Sequence, residues 1–499
     1  MICRLEGEKI IDATEMARAE NDAIDDGYNP EKFMLQAAKS FADLVEDYII
    51  EHRLPREVTF FCGKGNNGAD GFATAILLIE KGFAVKAFYL YDFLESSLLN
   101  RKFFKILSQK IEIQKYENQL EFSFVIIDAL VGTGFKDKPD EKLTKAIEAI
   151  NQSSSKKIAL DIPSGLDGSK GATQPVIVKA DTTLYLEVCK TGFFINKGLD
   201  YVNELRKGTF SFPAKYLERA LGFGFVFNQD SVKNLLPPMM TTQHKYERGY
   251  VLAVAGSKGM GGAALLSTLS CMRSGAGIVR LLYQKEMENE LQDSFLELIK
   301  TPLSKEILDQ EGKRASAILI GPGLGHNQQI QKEMLDFLEN FENPCVIDAD
   351  MLTFFAEHGK KYPKEIVLTP HRFELIRLLG AKKDICDEDL LEIAQGFVEE
   401  KKVTLVLKGA PTFILSPKKP LLVFYFGDKG MATAGSGDVL AGIIAGLLSR
   451  KMHAREAAAV GVYIHQKAGK AAAMLKGSHS VIASDIIEEL PALFHFYTS

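Results

Sequence analysis

The chain has 499 residues, of which 46% are hydrophobic and 25% are charged, so its composition is that of a folded globular protein with more than one domain. Its formal net charge of -5 at pH 7 gives no general attraction for nucleic acid or for an anionic membrane, and we expect neither as a partner. The six cysteines include no CxxC pair, which argues against a disulfide framework and a structural zinc site. The stretch MICRLEGEKIID has no signal-peptide core and no apolar run is long enough for a membrane span, so we expect a cytoplasmic protein.

The first half of the sequence alternates helical and strand-like segments. Helical apolar spacing covers 13–24 and 31–53, EVTFFCG reads as a buried strand that ends in glycine, and a helix is predicted over 71–81. AVKAFYL is the next strand candidate, and ADTTLYLEVC and GTFSF would extend the same sheet. This alternation predicts a mostly parallel sheet, which binds ligands at the carboxyl ends of its strands.

Three loops of this half each follow a predicted strand: CGKGNNGADG, DALVGTG and DIPSGLDG. In a parallel sheet they would share one crevice. The glycines of the first loop match the spacing G-x-G-x-x-G, although glycine loops often serve only as turns. The amide and carboxylate oxygens of these loops suit an alkali or alkaline-earth cation, but Asn-Gly and Asp-Gly pairs also form simple turns. Asp161, at a strand end, either transfers protons in a closed crevice or caps the loop that follows it.

These three motifs, in this order and spacing, resemble the YjeF-type N-terminal domain of the NAD(P)HX epimerase family over roughly residues 1–215. The resemblance implies a Rossmann-like three-layer domain that interconverts the R and S epimers of hydrated NADH or NADPH. It implies that Asp161 transfers the proton and that Asn67, Asp128 and Ser164 bind potassium. The residues that would hold the hydrate are Asn66, Asn67, Gly68, Ala69, Asp70, Gly132, Thr133, Gly134, Phe135, Lys136, Asp137, Lys138 and Asp161.

One position departs from the family pattern. Ala69 stands where the family loop usually has a second glycine. If this position needs a positive φ, alanine would strain it and lower the efficiency of epimerisation.

Around residues 215–225 the periodic pattern lapses, and we predict two domains, 1–220 and 221–499. Strands and helices alternate again through GYVLAVAG, ASAILIGPGLG, NPCVIDADML, EIVLTPHRFE and VTLVLKGAPTFIL. The second half therefore predicts another mostly parallel α/β sheet.

The stretch GMATAGSGDVLAG places Asp438 behind several glycines at the start of an apolar helix over 439–448. A helix start has unpaired N–H groups and partial positive charge, which suit phosphate, and glycines allow phosphate to approach the backbone closely. Asp438 is then either an N-cap or a base held beside an anion.

The motifs GPGLG, TPHRFE, KGAPT and GSGD, together with HKYERGYVLAVAGS and SGAGIVR, resemble the ribokinase-like ADP- or ATP-dependent NAD(P)H-hydrate dehydratases over 226–499. The resemblance implies a ribokinase-like three-layer α/β domain, Asp438 as the base, and Mg²⁺ with the nucleotide. It assigns ADP to bacterial members and ATP to eukaryotic ones, and we expect ADP here. The implied hydrate contacts are Ala276, Gly323 and His371, and the implied nucleotide contacts are Lys408, Gly409, Ala410, Pro411, Thr412 and Gly437. From the residues alone, Ala276 and Gly323 are also typical of turns, and His371 of a helix cap.

Together the two resemblances predict a bifunctional repair enzyme. The first domain would interconvert the epimers of NAD(P)HX, and the second would dehydrate the S epimer to NAD(P)H with release of AMP and phosphate. The expected partners are small molecules, and a homo-oligomer is expected because members of the family commonly assemble. Two alternatives stay open: a small-molecule kinase fused to an accessory domain, and a first domain that binds a partner without catalysis.

Overall fold

The computed structural model describes residues 4–118, 121–135, 138–292, 294–358, 363 and 365–498. They divide into two compact units: one spans Glu8–Gly224, and the other combines the chain from Phe225 onward with the described residues before Glu8. Each unit consists of strands and helices in alternation, so the predicted α/β class is confirmed. None of the helices in these ranges combines the length and the apolar character that a membrane span requires.

The elements are numbered in chain order. The described strands are β1 (Glu6–Ile11), β2 (Glu57–Cys62), β3 (Ala84–Tyr89), β4 (Ile113–Lys115), β5 (Val125–Ala129), β6 (Lys156–Leu160), β7 (Thr182–Leu186), β8 (Cys189–Lys190), β9 (Glu204–Gly208), β10 (Gly222–Phe227), β11 (Tyr250–Val254), β12 (Ile278–Tyr283), β13 (Ile299–Pro302), β14 (Ala317–Ile320), β15 (Cys345–Ile347), β16 (Ile366–Leu368), β17 (Thr404–Leu407), β18 (Thr412–Leu415) and β19 (Leu422–Phe424). The described α-helices are α1 (Ala13–Asp25), α2 (Pro30–Glu51), α3 (Asn66–Glu80), α4 (Leu98–Leu107), α5 (Glu141–Gln152), α6 (Leu199–Val202), α7 (Ala214–Arg219), α8 (Val232–Leu235), α9 (Gly261–Arg273), α10 (Lys305–Gly312), α11 (Gln328–Leu338), α12 (Asp350–His358), α13 (Arg372–Leu379), α14 (Asp387–Lys401), α15 (Ser436–Ser449), α16 (Ala454–Lys476) and α17 (Ala483–Thr498).

The first unit is built on a parallel sheet in the order β4-β3-β2-β5-β6-β7-β9. Successive side chains of β2 point to opposite faces: Phe60 packs in a cluster with Phe41 of α2, and Phe61 packs in another with Leu143 of α5. Helices therefore cover both faces of this sheet, which gives three layers. Because β2, β5 and β6 are neighbours, the loops after them meet at one edge.

Two predicted elements of this unit lie elsewhere in the structure. Helix α3 begins at Asn66 rather than at 71, because the turn is completed by Gly63–Gly65 and Gly65 is the N-cap. The Asn-Asn-Gly-Ala-Asp stretch thus forms the first helical turn rather than a loop. The predicted strand GTFSF is also wrong, since β9 ends at Gly208, where that stretch begins.

In the second unit ten strands lie in the order β13-β12-β11-β14-β15-β16-β17-β18-β19-β10. Their pairings are parallel except for β17 with β18 and β18 with β19, as the predicted mostly parallel sheet requires. The face that carries Val251 and Ala253 packs against α9, α15, α16 and α17 in one large apolar cluster. Leu252 and Val254 are buried as completely on the other face.

Helix α15 is buried along almost its whole length and packs closely against α9. A Cβ on Gly442 would lie 2.1 Å from the Ser267 carbonyl oxygen, and a Cβ on Gly446 would lie 2.8 Å from the Cys271 carbonyl oxygen. Glycine at these two positions therefore lets the helix axes approach each other. This packing fixes the start of α15 at the carboxyl edge of the sheet.

Candidate active sites

A cavity of about 570 Å³ opens at the carboxyl edge of the first sheet. Residues of α1 and α2 line it on one side, and the loops after β2, β5 and β6 line it on the other. The three loops that the sequence analysis singled out therefore converge, as expected for a parallel sheet.

Glycines of the first loop serve close packing. A Cβ on Gly63 would lie 1.8 Å from the Leu130 carbonyl oxygen, and one on Gly68 would lie 2.1 Å from the Gly63 carbonyl oxygen. The buried Asn100 amide donates hydrogen bonds to the carbonyls of Gly63 and Gly65 at 2.9 and 3.0 Å. Two of the three glycines of the G-x-G-x-x-G pattern thus bring loops together.

Ala69 does not carry the strain considered from the sequence. It lies in the first turn of α3, fully buried, and is not among the described non-glycine residues with positive φ. The helical conformation suits alanine, so a loss of efficiency from backbone strain at this position is not supported.

Several predicted hydrate-binding residues line the cavity, namely Asn66, Asn67, Asp70, Gly132, Thr133, Gly134, Phe135 and Asp161. Gly68 and Ala69 are buried behind this surface, and Lys138 is exposed outside it. Lys136 and Asp137 lie outside the described residues.

The three predicted potassium ligands belong to the same group of loops. Asp128 is fully buried and accepts hydrogen bonds from the Ser164 backbone N–H at 2.8 Å and from the Ser164 hydroxyl at 2.6 Å. Burial raises the pKa of Asp128 to about 6, although these hydrogen bonds oppose the shift. Asn67 is also buried, and neither polar atom of its amide has a hydrogen-bond partner in the structure. An unpaired buried amide is costly, and its oxygen is available to a cation.

Asp161 forms the charged centre of the cavity. Its carboxylate lies 2.7 Å from the ammonium of Lys190, whose side chain is only 2% exposed. Its backbone has a φ of 66°, a conformation that non-glycine residues rarely adopt and that often occurs at functional sites.

Two further carboxyl groups share this cavity. Glu20 is exposed to solvent on α1 but also lines the cavity, where the protein around its carboxyl group and the charge of Asp161 raise its pKa to about 7. Burial, together with the charges of Asp161 and Glu20, raises the pKa of Asp70 well above its ordinary value. A single cavity thus holds three carboxyl groups and the buried Lys190, and the carboxyls differ in their affinity for a proton.

In the second unit Asp438 is the third residue of α15. The N-cap is Gly435, in a left-handed conformation with φ 87°, so the alternative that Asp438 caps the helix is wrong. Asp438 instead lies within the first turn, where the backbone N–H groups are free of helical partners. Burial raises its pKa to about 7, the charge of Asp348 adds to this, and Lys408 opposes it.

Lys408 lies against this helix start. A Cβ on Gly437 would be 3.3 Å from its Nζ atom, which also lies 2.7 Å from Asp348 and 4.0 Å from Glu374. Burial alone would lower the pKa of Lys408, but these carboxylates raise it above its ordinary value, so the ammonium keeps its charge. Asp348 also accepts a hydrogen bond from Thr369 at 2.7 Å, which fixes the carboxylate. One ammonium and the start of α15 therefore face the same point as Asp438.

The other predicted nucleotide contacts form the turn between β17 and β18. Gly409 and Ala410 are exposed, whereas Pro411 and Thr412 are buried. The Thr412 hydroxyl donates a hydrogen bond to the Gly409 carbonyl at 2.9 Å. The turn is thus held from within, and Lys408 is the residue of this segment that reaches Asp348.

The three predicted hydrate contacts of this unit have different positions. His371 follows β16 and caps α13, since its Nδ1 accepts a hydrogen bond from the Glu374 N–H at 3.1 Å. Gly323 follows β14 and adopts a positive φ, and a Cβ there would lie 2.9 Å from the Met260 carbonyl oxygen. Both residues are at the carboxyl edge of the sheet, where Asp438 also lies.

Ala276 is not part of this group, and its prediction as a hydrate contact needs correction. It precedes β12, at the amino edge of the sheet, and a Cβ on the adjacent Gly275 would lie 3.1 Å from Arg450, just beyond the far end of α15. Asp438 and Arg450 are twelve residues apart along the helix, which is about 18 Å. The motif does form a turn, as its residues suggest. The turn precedes its strand, so it lies at the amino edge of the sheet and not at the carboxyl edge with Asp438.

The residues that the sequence analysis did not select are Glu20, Lys190, Asp348 and Glu374. Asp348 could have been identified from the sequence, because it follows a buried strand in CVIDAD as Asp161 does in KKIALD. Glu20 and Lys190 lie in separate segments without a motif, so only the folded chain brings them to Asp161.

Comparisons with known proteins agree with this architecture. The family model described as YjeF-related protein N-terminus matches residues 30–192, and the model described as NAD(P)H-hydrate dehydratase matches residues 251–492. The solved ADP/ATP-dependent NAD(P)H-hydrate dehydratase from Bacillus subtilis, co-crystallised with ATP and Mg²⁺, superposes with a TM-score of 0.50 and 26% identity. The superposition covers 54% of this chain and 97% of the Bacillus subtilis chain.

Full-length relatives contain both units. The bifunctional NAD(P)H-hydrate repair enzyme Nnr of Dictyoglomus turgidum is 31% identical over 505 residues, and the match covers 97% of this chain and 98% of that relative. The enzyme of the same name from Escherichia coli is 30% identical over 492 residues, with 96% of this chain and 92% of the relative covered. The chain therefore belongs to the family of bifunctional NAD(P)H-hydrate repair enzymes.

Proposed function

We propose that the chain repairs hydrated NADH and NADPH with two active sites, divided near residue 220. The first unit interconverts the R and S epimers of the hydrate. The second unit dehydrates the S epimer to the reduced nicotinamide nucleotide and uses ADP, which becomes AMP and phosphate. Both units thus act on one damaged cofactor.

The observation that carries this proposal is the arrangement around Asp438. A carboxylate with a pKa of about 7, the ammonium of Lys408 and the free N–H groups of α15 face one point. Such a set takes a proton from a hydroxyl and balances the charge of a phosphoryl group that moves to it. Hydroxide is a poor leaving group, whereas phosphate is a good one.

The dehydration then proceeds in two stages. Asp438 takes the proton of the C6 hydroxyl. At the same time the oxygen of that hydroxyl attacks the terminal phosphoryl group of ADP, and AMP leaves. The lone pair of the ring nitrogen next expels phosphate from C6, and loss of a proton from C5 restores the dihydronicotinamide ring. Lys408 and the first turn of α15 hold the phosphoryl oxygens throughout.

Magnesium would accompany the nucleotide in this unit. In the described part of the chain no three His, Cys, Asp or Glu side chains converge on a ready metal site. This fits an ion that is held mainly by phosphate oxygens and by one or two carboxylates.

In the first unit Asp161 transfers a proton to and from the hydroxyl group at C6 of the hydrate. Lys190 holds the carboxylate of Asp161 in place. Potassium would be bound by the Asn67 amide, Asp128 and Ser164. The unpaired buried amide of Asn67 supports this assignment, since an oxygen ligand set of this kind suits a weakly charged cation. The bound ion would add positive charge at the edge of the cavity.

Three finer points belong to the same proposal. ADP is the donor rather than ATP, in keeping with the tandem arrangement of the bacterial relatives. The protein acts in the cytoplasm, and its copies assemble into a homo-oligomer. Parallel assays with ADP and ATP, and light scattering of the purified protein, test the first and the last of these.

The direct test incubates the purified chain with NADHX and ADP. We expect the absorbance of the reduced nicotinamide to return, with one AMP and one phosphate released for each NADH. A stable phosphorylated product would instead favour the alternative of a small-molecule kinase with an accessory domain. Wild-type protein that does not accelerate epimer exchange over buffer would favour the binding-module alternative, which also predicts that Asp161→Asn leaves the exchange unchanged.

A further inference from the structure

The cavity of the first unit contains more acid–base groups than Asp161 alone requires. Glu20, Asp70, Asp161 and Lys190 all line it, and the three carboxyl groups interact electrostatically with one another. Lys64 and Tyr91 are the other titratable residues among the lining residues. Glu20 comes from α1, whereas Asp161 directly follows β6 and Lys190 lies on β8, so the acid–base groups of the cavity come from separate elements.

These carboxyl groups divide into distinct states at neutral pH. Asp161 is the carboxylate of the ion pair with the buried Lys190 at 2.7 Å. Burial and its negative neighbours raise the pKa of Asp70 well above the ordinary value, which favours its protonated form. Glu20 has a pKa of about 7, so it both gives and accepts a proton near neutral pH, which is the property of an efficient acid–base catalyst.

Epimerisation needs proton transfer in two directions. When the epimers exchange by loss and return of water, the hydroxyl at C6 receives a proton to leave, and the water that returns to the other face loses one. A carboxylate that is paired with lysine suits the second task, and a protonated carboxyl suits the first. One residue on one wall cannot serve both faces of the ring at once.

We infer that Glu20 is a second catalytic residue of the epimerase site, which protonates the departing hydroxyl while Asp161 accepts the proton of the returning water. The inference rests on the proposed epimerase function. The proton of Glu20 joins the C6 oxygen, the C6–O bond breaks, and the nitrogen lone pair forms a double bond to C6. Water then adds to the opposite face, its proton passes to Asp161, and the nitrogen recovers its lone pair. In the reverse direction the two carboxyl groups exchange roles.

The test compares Glu20→Gln with Asp22→Asn. Asp22 lies on the same helix and is exposed, as Glu20 is, but it does not line the cavity, so its variant controls for a change in α1. Interconversion of purified S-NADHX into the R epimer is followed over a pH range on both sides of 7, with exchange in buffer subtracted. Thermal unfolding of each variant, followed by circular dichroism, shows whether the first unit is folded, and dehydratase turnover shows the same for the second unit.

We expect the wild-type exchange rate to fall above about pH 7, as Glu20 loses its proton. Glu20→Gln should lower the rate by roughly 10²-fold, the lower end of the usual contribution of a general acid, and abolish this decline. Glu20→Asp should restore part of the rate together with a decline at high pH. Asp22→Asn should behave as the wild type.

The inference is overturned if Glu20→Gln exchanges the epimers at the wild-type rate. It is also overturned if Glu20→Gln is slower but its exchange rate still falls above about pH 7, or if Asp22→Asn is slowed as much as Glu20→Gln. A different result bears on the proposed function: wild-type protein that does not accelerate exchange over buffer would show that the unit is no epimerase. The two failures are therefore distinguishable.

Discussion

Asp70 and Asp161 line the same cavity but carry different charge. Asp161 pairs with Lys190, whereas burial beside other carboxylates raises the pKa of Asp70 well above its ordinary value and favours its protonated form. A protonated aspartic acid has nearly the shape and polarity of asparagine. At this scale the environment of each carboxyl group, rather than its residue type, decides its role.

Asp70→Asn should therefore keep most of the epimerase activity, within a few-fold of the wild type. Asp161→Asn should lose roughly 10²-fold or more, because it removes the group that accepts the proton. Both rates are measured by the exchange of purified S-NADHX. An equal loss in the two variants would contradict the assignment of a neutral Asp70.

Asp438→Asn should abolish dehydration and stabilise the second unit at alkaline pH. Its folded-state pKa of about 7 exceeds the ordinary aspartate pKa of 3.8, so the folded chain holds a proton between these pH values that the unfolded chain has lost. Stability is thus lost as the pH rises through this window, and asparagine does not suffer this loss. Wild-type turnover should rise with pH through about 7, because the base must be ionised.

Thermal unfolding at pH 5 and pH 8 tests this pair of effects. We expect the Tm of Asp438→Asn to exceed that of the wild type by more at pH 8 than at pH 5. A variant that is less stable than the wild type at pH 8, or that still turns over, would remove Asp438 from the role of base.

The residues that could be predicted from sequence share one property. Asp161 and Asp438 each stand beside glycines at the end of a strand or the start of a helix, and such local patterns are readable. Glu20 and Lys190 have no local pattern, and they become neighbours of Asp161 only through the packing of α1 and the position of β8. Tertiary proximity of this kind cannot be read from spacing along the chain.

At the scale of elements, α15 depends on its glycines to reach α9. Gly442→Ala should destabilise the second unit by about 1–3 kcal/mol, the usual cost of forcing extra atoms into a close-packed contact, because the added Cβ would meet a backbone oxygen. Gly396→Ala is the matched control: Gly396 is also inside a helix, is exposed and has open space around it.

We expect Gly396→Ala to stabilise the chain by about 0.5–1 kcal/mol, since alanine favours a helix more than glycine does. Both values come from urea denaturation. If Gly442→Ala is as stable as Gly396→Ala, the close approach of α9 and α15 does not hold the Asp438 turn in place.

The elements themselves were largely predictable, and their errors have physical causes. Apolar patterns located the most buried strands, such as β2, β5, β6, β11, β14 and β17, because buried strands are continuous apolar runs, but β4, β10 and β13 were not predicted. The start of α3 was placed too late because Asn-Gly pairs favour turns, yet here they form a first helical turn. The position of Ala276 was wrong because a motif does not state which edge of the sheet it will occupy.

At the scale of the whole molecule, the described residues proposed for each site belong to one compact unit. The sites are linked by a shared substrate, since only the S epimer is dehydrated and the R epimer must first be converted. Single substitutions should therefore separate the activities: Asp161→Asn should leave dehydration of the S epimer unchanged, and Asp438→Asn should leave epimer exchange unchanged.

The most direct measurement supplies a mixture of R- and S-NADHX and excess ADP to three proteins and follows the return of reduced nicotinamide absorbance. Wild type should convert the whole mixture rapidly. Asp161→Asn should convert the S portion rapidly and the remainder only at the rate of exchange in buffer, and Asp438→Asn should convert none. Rapid, complete conversion by Asp161→Asn, or any sustained conversion by Asp438→Asn, would contradict the two-site account.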